Sequence, residues 1–268
     1  MQNTAIKPGS YIHRFGGIAR LYSLENLEIL RKSHIIIVGI GGVGSWTAEA
    51  LARTGIGKLT LIDWDDICYS NSNRQIHAMT GNAGKSKVDI LSERISLINP
   101  ECNVDAIRDY YTKDNAHKII DNHASYVVDA IDRKNTKIHL LNYCKKNNLP
   151  IITCGGAGGK TDPSCIKICD LGESDNDPLL AQIRKQLRRD FNLPKQEKVC
   201  FDIPCVYSNE PMRYPTCDGN ITLEKPAPSD SPKQLDCVNG FGSTTHVTGC
   251  FGFFMASFVI NSLIKSPI

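Results

Sequence analysis

The feature that most constrains this chain is a glycine-rich turn between a predicted strand and a predicted helix. Residues 35–38 are Ile, Ile, Ile and Val, and such a β-branched run is typical of a strand buried on both faces. A helix is predicted for 46–53. Between them lie the glycines of a G-x-G-x-x-G pattern and one more, Gly39, Gly41, Gly42 and Gly44. Glycines let the backbone approach phosphates, and a helix N-terminus favours negative charge, so the turn predicts a nucleotide-phosphate site.

An acidic residue follows the next predicted strand where a ribose contact is expected. Residues 58–63 form this strand and end in Asp63, which comes about 20 residues after Gly44, the spacing of an acceptor for ribose hydroxyls. The alternative is a glycine turn that only packs a helix against a strand. Because strand, helix and acid occur in the expected order, the sequence favours the nucleotide site.

Polar and basic residues after this second strand distinguish between nucleotides. The turn-rich stretch holds Ser70, Asn71, Asn73 and Arg74, and Lys87 lies near the start of a helix predicted for 85–98. Arginine and lysine beside a glycine turn suit a triphosphate, whose charge needs several donors. A nicotinamide oxidoreductase would share only the glycine turn and Asp63. The alternative places Arg74 and Lys87 on a solvated helix face.

Two further acids lie at the end of a predicted strand at 125–129 and in the loop after it. The carboxyl edge of such a strand is where ligands bind in parallel sheets. Asp132, which lies in the loop, is the candidate Mg²⁺ ligand beside the phosphates. Asp129 lies closer to the strand, and for it a turn-capping role is the alternative.

The order of predicted elements indicates one α/β domain over 1–268, with a doubly wound, mostly parallel, Rossmann-like sheet. Further strands are expected at 103–107, 149–153, 165–169 and 199–207, and further helices at 21–30, 114–122, 134–147 and 178–191. We divide the chain into an N-terminal helical preface (1–33), a nucleotide-binding core (34–155) and a C-terminal extension (156–268). Prolines, Ser, Asp and Lys in 208–235 predict a mobile loop without regular elements.

Composition limits the cellular setting. The net charge of +3 is too small to argue by itself for nucleic-acid binding. The eleven cysteines form no CxxC pair and no signal peptide is evident, so free thiols and a cytoplasmic location are expected, without structural zinc. Residues 237–264 lack charged side chains, but the dense apolar run at 250–260 is about half of the roughly 20 residues that span a bilayer. A buried core helix is expected there rather than stable membrane insertion, and a peripheral membrane contact is the alternative.

The spaced motifs at 39–44, 61–66, 70–75, 84–87 and 129–132 resemble those of the ubiquitin-activating-enzyme-like adenylating superfamily. Its members bind Mg-ATP and activate a carboxylate. The resemblance implies an α-phosphate contact for Gly42, a ribose contact for Asp63, a phosphate lysine in Lys87 and a magnesium ligand in Asp132. It implies that the phosphate-binding loop is Ser70, Asn71, Asn73 and Arg74.

Motifs at 14–22, 73–78, 155–163 and 236–243, together with Trp46, are similar to the tRNA threonylcarbamoyladenosine dehydratase branch of that superfamily. The resemblance implies ATP-dependent cyclisation of N6-threonylcarbamoyladenosine beside the tRNA anticodon, with ATP and Mg²⁺ and allowance for a monovalent cation. It also implies a homodimer in which Arg20 or Arg14 reaches the partner's ATP, and work beside a cysteine desulfurase and its sulfur acceptor. The alternative function is adenylation of a ubiquitin-like sulfur-carrier protein. A catalytically silent binding module is a further alternative.

Two features remain beyond the nucleotide site. A predicted basic face suits tRNA phosphates, although a merely solvated face would look alike. Its residues are Arg184, Lys185, Arg188, Arg189, Lys195 and Lys198. Thioester-forming relatives use a cysteine to hold the activated carboxylate, and Cys237 is the candidate here. Because the substrate carries its own nucleophile, we expect cyclisation without Cys237.

Overall fold

A computed structural model describes residues 7–193, 199–216, 218–224 and 241–264. Its centre is a seven-stranded sheet of order β3-β2-β1-β4-β5-β7-β6. The strands are β1 His34–Val38, β2 Lys58–Ile62, β3 Asn103–Ile107, β4 Tyr126–Asp129, β5 Ile151–Cys154, β6 Ile166–Asp170 and β7 Pro204–Ser208. Only β6 is antiparallel to its neighbour within this sheet. The order reverses between β1 and β4, and such a switch point is where doubly wound sheets bind ligands. The predicted fold class is confirmed.

Helices cover both faces of the sheet because its strands are apolar on both sides. The helices are α1 Tyr11–Tyr22, α2 Leu24–Lys32, α3 Gly44–Arg53, α4 Lys87–Ile98, α5 Ala116–Ile119, α6 Lys134–Lys146, α7 Pro178–Asp190 and α8 Thr245–Leu263. Ile35 and Ile37 point into a core with α3, α4 and α8. Ile36 and Val38 point into a second core with α5, α6 and α7. Burial on both faces explains why β1 reads as a continuous β-branched run.

The N-terminal preface differs from the single helix predicted for 21–30. Ser23 has a φ of 85°, which ends α1, and its hydroxyl accepts a hydrogen bond from the Asn26 N–H to cap α2. The apolar face predicted for 21–30 is buried only in its second half. Leu27 is buried, whereas Leu24 is 67% exposed. The hydrophobic periodicity continues through Ser23, although the cap at this serine separates two helices.

The C-terminal extension completes the same sheet with β6 and β7. The strand predicted for 199–207 is confined to β7, and the strand predicted for 165–169 is β6. The prediction that 208–235 lacks regular elements is wrong for its described part, because β8 Tyr214–Pro215 pairs with β9 Ile221–Thr222. Proline is tolerated there because the hairpin is a short pair of edge strands.

Helix α8 is the apolar helix expected near the C-terminus. It is long and apolar enough to cross a membrane, with a mean hydropathy of 1.4 over its most apolar window, half of which is buried. Its inner side packs on α3 so closely that a side chain at Gly252 would lie 2.8 Å from the Cβ of Trp46. Phe251 and Met255 are fully buried on this side. The expectation of a core helix is confirmed for this side.

Candidate nucleotide-binding site

The glycine turn connects β1 to α3 at the switch point of the sheet. Gly39 has a φ of 92°, and a Cβ there would lie 2.8 Å from the carbonyl oxygen of Ala130. A Cβ at Gly44 would lie only 1.8 Å from the carbonyl oxygen of Gly39. Both positions therefore require glycine. Helix α3 begins without a side-chain cap, but the Ser45 N–H already donates to the carbonyl oxygen of Gly41 at 3.1 Å, so an anion would bind the N–H groups of the turn itself, beside Gly41 and Gly42.

Asp63 lies directly after β2 and is bonded to the glycine turn. Its carboxylate accepts hydrogen bonds from the Ile40 N–H at 2.6 Å and from the Asp65 N–H at 2.9 Å. Burial raises the pKa of Asp63, although the positive charge of Lys87 acts in the opposite direction. The structure thus brings the predicted ribose acceptor to the turn.

Lys87 is the first residue of α4 and is buried with only 6% of its surface exposed. Its Nζ lies 2.8 Å from the carboxylate of Asp65 and 4.0 Å from that of Asp63. The alternative placement of Lys87 on a solvated face is therefore wrong. Its ammonium group lies among the acids that follow β2, where it can contact a bound phosphate.

Arg74 lies across the glycine turn. Its carbonyl oxygen accepts a hydrogen bond from the indole N–H of Trp46 at 3.0 Å, which ties the loop to α3. Its Cγ lies 3.4 Å from where a Cβ of Gly42 would be. Its guanidinium donates to the carbonyl oxygen of Ser70 at 2.9 Å and leaves the Ser70 side chain exposed. The structure thus brings Gly42, Ser70 and Arg74 together.

The asparagines of the predicted phosphate loop are used within the protein. The side chain of Asn71 is buried and accepts from the Cys68 N–H at 3.1 Å, which closes the turn. Asn73 donates from its amide to the carbonyl oxygen of Ser243 at 2.8 Å, and its own carbonyl accepts from the hydroxyl of Thr245 at 2.6 Å. These contacts shape the loop and attach it to the start of α8.

The two acids after β4 have different surroundings. Asp129 is fully buried, with Lys137 Nζ at 2.8 Å and the Thr153 hydroxyl at 2.7 Å. Its remaining oxygen accepts from the Ile131 N–H at 3.1 Å, which is the capping role given as the alternative. Asp132 is exposed in the loop next to the segment that touches Gly39. Of the two, Asp132 is the carboxylate available to a metal ion.

The N-terminal arginines lie on α1 and are both exposed. Arg14 donates to the carbonyl oxygens of Gly9 at 3.1 Å and Ile98 at 3.4 Å. Within the described residues, the Arg20 guanidinium has no hydrogen bond or ion pair. The structure attaches neither of them to the glycine turn of its own chain.

The sequence assigned no role to two residues that lie beside the turn. Gln75 is buried with its amide 3.9 Å from where a Cβ of Gly41 would be, and its Oε1 has no partner in the described chain. The γ-methyl of Thr248, on α8, lies 3.2 Å from where a Cβ of Gly42 would be. Gln75 belongs to the same short motif as Arg74, which is the signal that could have found it. Thr248 is distant in sequence and carried no signal.

The predicted basic face on α7 is divided. Lys185 and Arg189 are exposed, whereas Arg184 and Arg188 are partly buried, and Arg184 donates to the Ser174 hydroxyl. Lys195, Lys198 and Cys237 lie outside the described residues. Among the described residues, no cluster of side chains could hold a metal ion by itself, and the cysteines are free.

A doubly wound sheet with an open glycine turn at its switch point, an acid at the end of β2 and a buried lysine beside that acid defines a nucleotide-binding α/β protein. The ThiF family model matches residues 17–266. The chain belongs to the ThiF family.

Its relatives include enzymes of matching length. It is 47% identical to the tRNA threonylcarbamoyladenosine dehydratase of Escherichia coli strain K12, over 94% of this chain and 93% of that protein. The Haemophilus influenzae protein of that name is 48% identical, with 96% and 95% covered. A structure of the E. coli enzyme in complex with ATP superposes with a TM-score of 0.82 at 42% identity and covers 96% of both chains. Its complex with AMP gives 0.83.

Relatives that support the alternative function match much less of the chain. The molybdopterin-synthase adenylyltransferase of Salmonella typhimurium is 29% identical over 51% of this chain. A ubiquitin-like modifier-activating enzyme of Bombyx mori matches 40% of it. The comparisons therefore support the dehydratase prediction and not adenylation of a carrier protein.

Proposed function

We propose that this protein uses ATP to cyclise N6-threonylcarbamoyladenosine beside the anticodon of tRNA. The observation that carries the proposal is the assembly of Gly42, Asp63, Arg74 and Lys87 around one turn at the switch point. Basic groups on both sides of a glycine turn match a triphosphate better than a dinucleotide. Similarity to dehydratases over nearly the whole chain supports this choice of substrate.

The residues present fit ATP. The glycines allow the phosphates to approach the uncapped start of α3, and the carboxylate of Asp63 is positioned to accept from the ribose. Arg74 and Lys87 would neutralise phosphate charge. Gln75 adds a buried amide whose nitrogen adjoins the turn and whose oxygen has no partner among the described residues. Asp132 would hold Mg²⁺, which supplies charge neutralisation at the phosphates when bound.

The chemistry requires activation of a carboxylate. A carboxylate is a poor electrophile at neutral pH. Transfer of a nucleotidyl group from ATP to its oxygen, which releases pyrophosphate, or of a phosphoryl group, which releases ADP, gives it a good leaving group. The nucleophile belongs to the same threonylcarbamoyl group, so ring closure is intramolecular. The nucleophile loses its proton and bonds to the carboxyl carbon, and AMP or phosphate leaves with the former carboxylate oxygen. The protein contributes positioning and charge stabilisation, for which Arg74 and Lys87 are suited.

We extend the proposal to a homodimer in which Arg20 reaches the ATP of the partner subunit. Arg14 is held by backbone oxygens of its own chain, whereas Arg20 is exposed without a hydrogen bond or ion pair in the described residues. A cysteine desulfurase with its sulfur acceptor and a monovalent cation are further expectations, which rest on the family resemblance alone.

The function is tested with purified protein, ATP, Mg²⁺ and tRNA that carries threonylcarbamoyladenosine. Mass spectrometry of the digested nucleosides should reveal the cyclic product only when ATP is present. This product is lighter than threonylcarbamoyladenosine by one water, about 18 Da. Asp132→Asn should abolish turnover at low Mg²⁺ while the melting temperature is unchanged, because this exposed loop carboxylate supports no core. Absence of the cyclic nucleoside with the wild-type protein would contradict the proposal.

A further inference from the structure

A groove between α6 and α7 is lined by positive charge. Its volume is about 620 Å³, and Lys113, before α5, forms one of its walls. Its cationic side chains are Lys113, Lys134, Lys185 and Arg189. Amide side chains of both helices lie between them, namely Asn135, Asn142, Gln182 and Gln186. We call this feature the α6–α7 groove.

The cations of the groove are not neutralised by the protein. In the described parts of the chain, none of the four forms an ion pair, and all four are exposed. Asp190 is the only carboxylate among the lining residues described. It accepts from the amides of Asn142 at 2.7 Å and Gln186 at 2.9 Å rather than from a lysine or arginine. Unpaired cations at this density leave a positive field that an anionic ligand would relieve.

The groove combines side chains that are distant in sequence. On α7, Lys185 and Arg189 are one helical turn apart and face the groove, whereas Arg184 turns toward Ser174. Lys134 and Asn135 come from the start of α6. Lys185 and Arg189, from the predicted basic segment, therefore supply two of the four cations. Lys113 and Lys134 supply the other two, and the sequence did not indicate that they lie beside α7.

The groove begins beside the proposed reaction site. Lys134 follows Asp132 closely at the carboxyl edge of the sheet, and α6 starts there without a side-chain cap. The N–H groups of this first turn add to the positive charge at the end of the groove next to Asp132. A polyanion in the groove would therefore pass directly next to the loop that carries Asp132.

We propose that the α6–α7 groove binds the phosphate backbone of the RNA substrate. This inference rests on the proposed function for the identity of that RNA. Several unpaired cations along one groove suit successive phosphates, and the amides among them can pair with sugar hydroxyls or base edges. An acidic protein segment is the competing occupant, but it would not explain why the groove begins at the site where a nucleotide of RNA reacts.

The test is the salt dependence of tRNA binding to the full-length protein. Lys134→Gln, Lys185→Gln and Arg189→Gln are combined in one variant, and affinity for tRNA is measured across a range of KCl concentrations. Each lost phosphate contact reduces the slope of log affinity against log salt by about 0.7–0.9, so a reduction of about 2 is expected. Affinity for ATP and the melting temperature should be unchanged, since these exposed side chains contact neither the glycine turn nor the core.

The control is Lys32→Gln combined with Lys58→Gln, which removes two cations outside the groove, at the end of α2 and the start of β2, that pair with Glu28 and Asp105. This control should leave the slope nearly unchanged. If the groove variant keeps the wild-type slope and affinity, the inference is overturned and an acidic protein partner becomes the surviving occupant. Cyclisation by the wild-type protein is scored separately, so failure of the groove and failure of the proposed function are distinguishable.

Discussion

Strands β2 and β4 lie on either side of β1, and each leads to an aspartate that pairs with a lysine. The two pairs differ in how completely the protein closes them off from solvent. Asp129 and Lys137 are both completely buried at 2.8 Å, with Thr153 as a further partner. Asp63 and Lys87 are 4.0 Å apart, and the lysine is shared with Asp65, whose side chain is 56% exposed. The first pair is closed by protein on every side, whereas the second, with side chains 12% and 7% exposed, reaches solvent at the sheet edge beside Asp65; we call it the open pair.

This difference separates a structural pair from a ligand site. In the buried pair, the lysine ammonium donates to Asp129 and to the Thr153 hydroxyl, so its donors are used inside the fold. Burial alone would lower the pKa of Lys137, but Asp129 raises it above its usual value. Near Asp63, the ammonium group of Lys87 can still donate to another partner. Identical residue types at one sheet edge therefore serve different purposes according to burial.

The largest expected effect breaks the closed pair. Lys137→Met leaves the Asp129 carboxylate buried without its counter-charge, and such a loss costs about 3–5 kcal/mol of unfolding free energy. Urea denaturation followed by circular dichroism measures this cost. The double variant Asp129→Asn with Lys137→Met should recover part of the loss, because no buried charge remains. A single variant as stable as wild type would show that the pair is not structural.

The next effect should appear in activity rather than stability. Lys87→Met removes a cation beside the proposed phosphates, and loss of one preorganised donor typically lowers the rate by about 10²–10³-fold, which is about 3–4 kcal/mol. The unfolding free energy should change by less than in the closed pair, since Asp63 is 4.0 Å from the Lys87 ammonium and the nearer partner, Asp65, is largely solvated. Single-turnover cyclisation and denaturation are measured on the same preparation. A loss of activity below tenfold would remove Lys87 from the phosphate site.

The sequence indicated the open pair but not the closed one, for physical reasons. A glycine pattern, a strand and an acid at fixed spacing are local, so Asp63 could be predicted without tertiary contacts. Lys137 lies on a helix where a lysine is usually solvated, and only the packing of α6 over β4 and β5 buries it. The sequence did separate Asp129, at the end of the strand, from Asp132, in the loop, but it did not indicate that Asp129 pairs with Lys137.

Tertiary contacts also explain the other differences from prediction. Thr245 and Thr248 reach the phosphate loop from a helix about 170 residues later in the chain, as the Thr245 bond to Asn73 spans 172 positions. The apolar periodicity through 21–30 concealed the break at Ser23, since a positive φ at a serine leaves no mark in hydrophobicity. Domain organisation within 1–268, with its preface, core and extension, stays a prediction.

The smallest effect concerns the pH dependence of the ligand-free protein. Burial raises the pKa of Asp63, with Lys87 acting against it, so the folded state keeps a proton at pH values where the unfolded chain has released it. The stability that this carboxyl contributes therefore falls as pH rises from the unfolded pKa to the raised folded one, and it is constant above that range. Glu49 is the matched contrast. Burial would raise its pKa, but hydrogen bonds from Arg94 and Arg53 lower it, so its contribution is lost as pH falls.

Asp63→Asn and Glu49→Gln should consequently change the pH profile of stability in opposite directions. We expect the difference in unfolding free energy, wild type minus Asp63→Asn, to grow as pH is lowered through the acidic range, because only the wild type gains from protonating a buried carboxyl. The corresponding difference for Glu49→Gln should shrink, since protonation removes the ion pairs with Arg94 and Arg53. Urea denaturation in a series of acidic buffers measures both. A pH-independent difference for Asp63→Asn would mean that Asp63 is solvated in the absence of nucleotide. Parallel profiles for the two variants would mean that the charge of Lys87, rather than burial, determines the direction of the pKa shift of Asp63.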